Sequence, residues 1–293
     1  MNLIIKGVLV MVMLVLNPHF AFANVKDEAQ IKTIVESVGT LADTNNYESL
    51  EKLYAPEIQV DYRSLSGGDI ELKSPRALMT QWASVLPGFD VTRHEISDIK
   101  VSANGVTATA TASVVADHYV GSLFWQVRGK YTYRFVKDAA IWLITAHKFE
   151  LLEESGTRDV FAVAVENAKQ NPPNYLIRHN SQKTVSKFVE AIEDQHPASI
   201  AGLLSDDGAI FESTHLATIN KKIGKTKITI DYMRNARNVG KNRMIYTMKD
   251  PNLILIETRS KLEESHLEKK AANCFVALIH LENDKVKMIR EYS

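Results

Sequence analysis

Apolar residues along the first third of the chain recur with two different periods. Ile31, Ile34, Val35, Val38 and Leu41 follow the spacing of one helical face, which predicts a helix over 27–43. The polar run TNNY closes it, and Leu50, Leu53 and Tyr54 mark a short second helix that Ala55 and Pro56 end. Residues 57–64, EIQVDYRS, then alternate apolar and polar as a half-buried strand does. After the turn SGGD, Ser74 supplies a cap and Pro75 a first helical position for a third helix through 86.

Beyond that helix the period is two throughout. Residues 93–102 and 105–120 read as strands joined at ANG, and 123–138 with 141–154 as a long hairpin across KDAA. The run NPPN at 171–174 then reads as a linker. The same order follows it. Val185, Phe188, Val189 and Ile192 share one helical face, 197–208 gives a short helix and 209–213 a short strand. A third helix is predicted over 227–237 despite its β-branched residues, and four strands finish the chain over 241–250, 252–260, 272–283 and 285–293. Helices followed by runs of antiparallel strands predict an α+β fold, with each sheet curling over its helices. Two copies of one plan, each of roughly 120 residues, fit the pattern better than one large domain. The expected boundaries are 24–170 and 171–293.

Composition narrows the partners. Formal net charge is zero and the 35 Lys and Arg are dispersed, which argues against nucleic acid or an acidic membrane surface. The opening segment carries one charge, Lys6, then the apolar run 8–16, Pro18 and the small-residue stretch Ala21, Phe22 and Ala23. That is the order of a secretory signal, and the run is short of the about 20 apolar residues a membrane span requires. A signal over 1–23, no membrane association after its removal, and a secreted or periplasmic mature chain are therefore expected. The single Cys274 permits no internal disulfide and lies in an apolar alternating run, which reads as a buried inert thiol. The histidines are scattered, without HExxH or paired-cysteine spacing, and neither a phosphate loop nor GxSxG occurs. Neither metal nor cofactor is expected.

The order helix, short helix, strand, helix and four long strands resembles the cone-shaped fold of the nuclear transport factor 2-like superfamily. Its members include SnoaL-like cyclases, ketosteroid isomerase and scytalone dehydratase. In the second half the resemblance rests on YTMKDPNLILIETRS and LENDKVKMIREYS, patterns like those of SnoaL-like domains that carry no mechanism. The first half is more similar to scytalone dehydratase and its bacterial relatives, through LADTNNYESLEKLYAPEIQVDYRS and TRHEIS.

What that resemblance implies is a proton-transfer pair. Asp43 occupies the place of an aspartate that orients a histidine, and His94 the place of the histidine that shuttles protons as water is eliminated beside a carbonyl. Tyr62 matches a tyrosine directed at the substrate carbonyl. A second polar residue falls in ADHY, as His118 or, with the register shifted by one, Asp117. The chain departs from the pattern at Ala42, where the family has a second tyrosine, and at Gly129 and Tyr131, where it has a polar pair.

The residues sustain this chemistry on their own terms. Elimination or isomerisation beside a carbonyl needs a base, a partner that fixes the base's tautomer, and a donor facing the developing oxyanion. Histidine, aspartate and tyrosine are the natural occupants of those places. Each also has a plainer reading. Asp43 opens a good turn sequence, His94 could pair with Arg93 or Glu95 on an exposed strand, and Tyr62 could fill core beside Ile58 and Val60. On the strand reading Asp61 and Arg63 face outward, and Trp82, Trp125, Trp142, Phe124 and Tyr131 read as core. In the second half His215, Asp231, Tyr232 and Glu257 form no dyad by spacing. Glu257 reads as either a buried acid or a paired structural carboxylate.

The expectation is thus an exported protein with two SnoaL-like domains. The first would be a dehydratase-like lyase or isomerase for a small apolar carbonyl compound. The alternative is a non-catalytic small-molecule-binding module of the same fold, and in either case the two domains are expected to pair as an internal pseudo-dimer.

Overall fold

The computed structural model describes residues 18–207, 209–213, 218–223, 243–259 and 274–292. The chain divides into two compact units, 1–170 and 171–293. The first contains α1 (Pro18–Asp43), α2 (Tyr47–Glu51), β1 (Tyr54–Asp61), α3 (Arg63–Ser66), β2 (Glu71–Lys73), α4 (Pro75–Ala83) and a 3-10 turn, Leu86–Gly88. Four long strands follow, β3 (Val91–Asn104), β4 (Thr107–Val120), β5 (Leu123–Asp138) and β6 (Ile141–Gly156), and then α5 (Asp159–Gln170). The sheet order is β2-β1-β6-β5-β4-β3, antiparallel except where β1 and β6 run parallel.

Helix α1 lies along β3 and buries Ile31, Val35, Val38 and Ala42. Gly39 permits that approach, because a Cβ there would stand 3.0 Å from both the His94 Cβ and the Ile96 Cδ1. Strand β4 alternates strictly, with Ala108, Ala110, Ala112, Val114, Ala116 and His118 inward. Strand β6 does not. Register shifts place Thr145 and Leu152 opposite no partner on β5, so the inward phase passes from Trp142 and Ile144 to His147 and Phe149.

Three expectations change. Strand β1 starts at Tyr54, runs through Ala55 and Pro56, and stops at Asp61, so Tyr62 is the cap residue of α3 rather than a strand residue. Asp61 is buried, not outward-facing. Its carboxylate takes Arg63 Nε at 2.9 Å, Arg63 Nη2 at 3.0 Å and the Arg63 backbone N–H at 3.3 Å. A strand-end carboxylate that accepts the first free N–H of the next turn ends the strand there. Helix α5 was not foreseen. It crosses the 3-10 turn so closely that a Cβ on Gly88 would lie 1.7 Å from the Ala164 carbonyl oxygen, and Asn167 Nδ2 donates to the Gly88 carbonyl at 3.0 Å.

The second unit contains α6 (Asn174–Glu193), α7 (Pro197–Leu203), β7 (Ala209–Ser213), β8 (Thr218–Ile223), β9 (Arg243–Thr247), β10 (Leu253–Arg259), β11 (Cys274–Glu282) and β12 (Lys285–Tyr292). Its order is β8-β7-β12-β11-β10-β9, with β7 and β12 parallel. Strand by strand this is the plan of the first unit. The expected α+β architecture, two curved sheets each carrying helices, is present. The core is aliphatic around Phe188: Val185, Val189 and Ile192 from α6 meet Ile254, Ile256, Ile279, Leu281, Val286 and Ile289. Glu257 is not a buried acid. It faces away from Ile254, Ile256 and Thr258, half-buried, and accepts from Tyr246 Oη at 3.2 Å. The helix expected at 227–237, the charged loop 263–270 and His215, Asp231 and Tyr232 lie outside the described residues, as does the apolar run 8–16. Among the described residues no helix is long and apolar enough to cross a membrane.

Candidate active site

The last turn of α1 carries Asp43, an acid that the negative end of a helix dipole opposes. Donors from β3 compensate it. His94 Nδ1 lies 2.6 Å from Asp43 Oδ1, the His94 backbone N–H donates to Oδ2 at 2.8 Å, and Thr92 Oγ1 donates to Oδ1 at 2.9 Å. Burial alone would raise the Asp43 carboxyl, but the bonds and charge of His94 outweigh it and leave the group below its ordinary value. A carboxylate on Nδ1 keeps the ring proton there and leaves Nε2 as the lone pair.

His118, on the neighbouring strand, stands edge-on to His94 with ring centroids 5.7 Å apart. The strand register turns His118 inward and Asp117 outward, where Asp117 accepts from Gln126 Nε2 at 2.7 Å. His118 is walled by Phe89 at 5.1 Å and Trp125 at 4.9 Å, with Phe161 of α5 at 6.3 Å. Its Nδ1 is buried without a hydrogen-bond partner. Burial first, and the nearby charge of His94 second, push this imidazole down to about 4. Asp43, His94 and His118 are therefore brought together.

Tyr62 joins the same inner face by a different route. It leaves the end of β1, is half-buried, and meets the ring of His147 edge-on at 5.5 Å. Burial, then the neighbouring phenols of Tyr131 and Tyr54, raise its hydroxyl well above the ordinary tyrosine value. It is a neutral donor. Tyr131, at the position where a polar pair was absent, lies near enough to Asp43 for that charge to oppose its ionisation. Gly129 makes room for Phe149, whose ring carbon Cε2 would be 2.5 Å from a Cβ there.

Sequence reasoning missed four contributors. Thr92 lies two residues before His94 on one strand face, a period-two signal that was available. An isolated glycine in an apolar helical pattern, Gly39, was a second. Phe161 was hidden with α5. His147 was hidden by the bulge at Thr145, which no pattern of alternation discloses. Among the described residues no group of three or more His, Cys, Asp or Glu side chains is placed to hold a metal ion.

With this geometry in place, residues 23–148 match the family model of the SnoaL-like domain. The first unit is a SnoaL-like domain. The uncharacterized protein Rv2910c of Mycobacterium tuberculosis is 28% identical over 89 residues, which is 30% of this chain and 58% of that relative's length. Among solved structures, Kfla4162 from Kribbella flavida is 19% identical, covering 49% of this chain and 97% of its own, with a TM-score of 0.42. A Novosphingobium aromaticivorans protein provisionally assigned as a scytalone dehydratase is 18% identical, covering 47% and 92%, also with a TM-score of 0.42. The model match takes in Asp43, Tyr62, Thr92, His94, His118 and His147, while Phe149 and Phe161 lie beyond its end.

Proposed function

We propose that the SnoaL-like domain catalyses a cofactor-independent elimination or isomerisation beside the carbonyl of a small, largely apolar compound, in a chain exported by way of its N-terminal segment. The observation that carries this reading is the grip of Asp43 on both the ring and the backbone of His94. In a dehydration, His94 Nε2 takes the proton from the carbon next to the carbonyl, and the C–H electron pair flows into an enolate. The hydroxyl on the next carbon then leaves as water, with the proton returned by His94. Asp43 holds the ring's orientation and stabilises the imidazolium formed in between. Tyr62 supplies a neutral hydroxyl toward the enolate oxygen, and His118, uncharged, offers a hydrogen bond near the leaving group.

The test is to screen wild type and His94→Ala against cyclic hydroxy-ketones and ketones. Loss of the base lowers turnover about 10²- to 10⁴-fold while ligand binding persists. Equal turnover in the two proteins would sink the dyad. A second reading, capture of the same ligand without turnover, is favoured by Phe149, whose ring fills the space beside Gly129 where a catalytic polar residue is expected by resemblance. On that reading neither protein turns over any compound that both bind.

A further inference from the structure

A second polar cluster lies on the inner face of the SnoaL-like domain, and the dyad does not use it. His147 is 1% exposed, on β6 after the bulge at Thr145. Its Nδ1 is 3.2 Å from Tyr54 Oη, and its Nε2 is buried with no hydrogen-bond partner. The rings of Tyr133 at 4.6 Å, Tyr131 at 5.0 Å, Tyr62 at 5.5 Å and Trp82 at 6.0 Å surround it. Tyr133 is fully buried, and its hydroxyl also lacks a partner.

Two tautomers are possible and their costs differ. If Nδ1–H donated to Tyr54, the Tyr54 hydroxyl proton and the Nε2 lone pair would both be stranded. If Tyr54 donates to Nδ1, one stranded donor remains, Nε2–H. Each buried polar group left unmade is costly, so the second arrangement, which strands one rather than two, is preferred. Burial, then the charge of His94, pushes the imidazole down to about 3, so the ring stays neutral. It is a donor without charge.

The same place in the second unit shows that the fold does not require it. There Lys287 is the unpaired bulge residue on β12, Ile289 is the inward residue that follows, and its cross-strand partner is Ile279. In the first unit the corresponding pair is His147 and Tyr133. An aliphatic pair satisfies the bulge with no stranded polar atom.

We propose that His147 Nε2–H and the Tyr133 hydroxyl form the subsite that seats the uncharged oxygen of the ligand, with the surrounding rings packing its flat apolar frame. This rests on the reading above, in that the oxygen seated is the carbonyl beside the reacting carbon. Tyr131 connects the two places, since its ring contacts His147 while its hydroxyl lies within reach of the Asp43 charge. No lysine or arginine contributes to the cluster, and Asp43 is an anion near it, so a carboxylate is disfavoured. The ligand class is therefore a neutral cyclic ketone or phenol. His147 acts here as a positioning and specificity residue rather than a proton carrier.

The test measures binding to the full chain by intrinsic tryptophan fluorescence, with 2-tetralone, its hydrocarbon analogue tetralin and the anion 2-naphthoate as probes. Wild type binds 2-tetralone about tenfold more tightly than tetralin, the value of one donor hydrogen bond, and 2-naphthoate most weakly. In His147→Phe that ratio falls severalfold, to what the Tyr133 hydroxyl alone supplies, with tetralin affinity unchanged. Nitrogen-15 NMR of wild type, which needs no variant to fold, shows an Nε2–H tautomer whose resonance moves with 2-tetralone and not with tetralin. A preserved ratio in His147→Phe, tighter naphthoate binding, or an Nδ1–H tautomer overturns the proposal. His94→Ala separates it from the enzyme reading. If that variant leaves turnover unaltered, the dyad falls while the subsite stands, and if His147→Phe leaves the ratio unaltered, the reverse holds.

Discussion

The two units share a strand order and a parallel pair, and both place a bulge at the same point of the last strand, yet among the described residues they differ at three corresponding places. At the end of the first long helix, the first unit has Asp43 against His94 and the second has Glu193 against Arg243. Both pairs neutralise an acid at a helix C-terminus, but guanidinium does not give up its proton, so only the first can serve as a relay. Where the helix meets the sheet, Gly39 in one unit lets a histidine strand approach, and Val189 in the other packs into an aliphatic core. After the bulge, His147 opposite Tyr133 corresponds to Ile289 opposite Ile279. Buried, incompletely bonded polar groups cost a few kcal/mol relative to apolar core, and each calls for a cause such as strain, chemistry or a bound water or ion. On the reading proposed above, binding and chemistry would fall to the first unit and a packing role to the second.

The largest effect that tests this assignment is at the helix ends. Asp43→Asn puts an amide donor toward Nδ1, drives the ring proton to Nε2 and so removes the lone pair that acts as base. Turnover of any compound found active falls about 10²- to 10⁴-fold, with fluorescence-measured ligand affinity kept. Glu193→Gln breaks the matching pair in the second unit and leaves turnover unchanged. If the two substitutions lower turnover equally, the assignment of chemistry to one unit is wrong.

Elements were more legible in the sequence than their phases were. Period-two runs disclosed the long strands and the apolar stripe disclosed α1, because those patterns depend only on which residues meet the core. Asp43 and His94 were legible by resemblance, and as local chemistry each was ambiguous with a turn residue and an exposed strand residue. Three facts needed coordinates. A bulge adds one residue to β6 and reverses its phase, so His147 could not be called inward from alternation. The burial of Asp61 depends on Arg63 folding back within two residues, which ends β1 before Tyr62. The position of α5, which carries Phe161 over His118, depends on a backbone approach at Gly88 that has no periodic signature.

The next effect in size concerns acid. His118 and His147 are buried and neutral, with folded values of about 4 and about 3. Both lie below the about 6.5 of an unfolded histidine. Between those values the unfolded chain binds more protons than the folded one, so stability falls as pH falls from about 6.5. By pH 4 each buried ring costs about 3 kcal/mol. Asp43 acts in the same direction at lower pH, because its lowered value gives stability that is lost as pH drops through it. Among the described residues of the second unit no histidine is buried as a whole, although the Nδ1 atom of His179 is. Hydrogen exchange, corrected for intrinsic rates, should show β4, β5 and β6 losing protection between pH 6.5 and 4.5 while β10, β11 and β12 keep theirs. His147→Phe should flatten the loss in the first unit. A loss of equal size in both units would mean that the two histidines do not set the acid limit.

The smallest effect compares one stranded hydroxyl in each unit. Thr258 Oγ1 on β10 and Tyr133 Oη on β5 are both buried without a partner. Thr258→Val and Tyr133→Phe each replace a desolvated hydroxyl by apolar shape, and each should stabilise its own unit by about 1 kcal/mol, read as slower local hydrogen exchange. Their effects on ligand should diverge. Thr258→Val leaves 2-tetralone affinity as it was, since the hydroxyl removed had only packing neighbours to serve. Tyr133→Phe weakens that affinity severalfold while gaining stability, the trade expected of a group kept unsatisfied for a ligand. If Tyr133→Phe is stabilised and binds as wild type does, its hydroxyl is a flaw of packing like that of Thr258, and the donor role reduces to His147 alone.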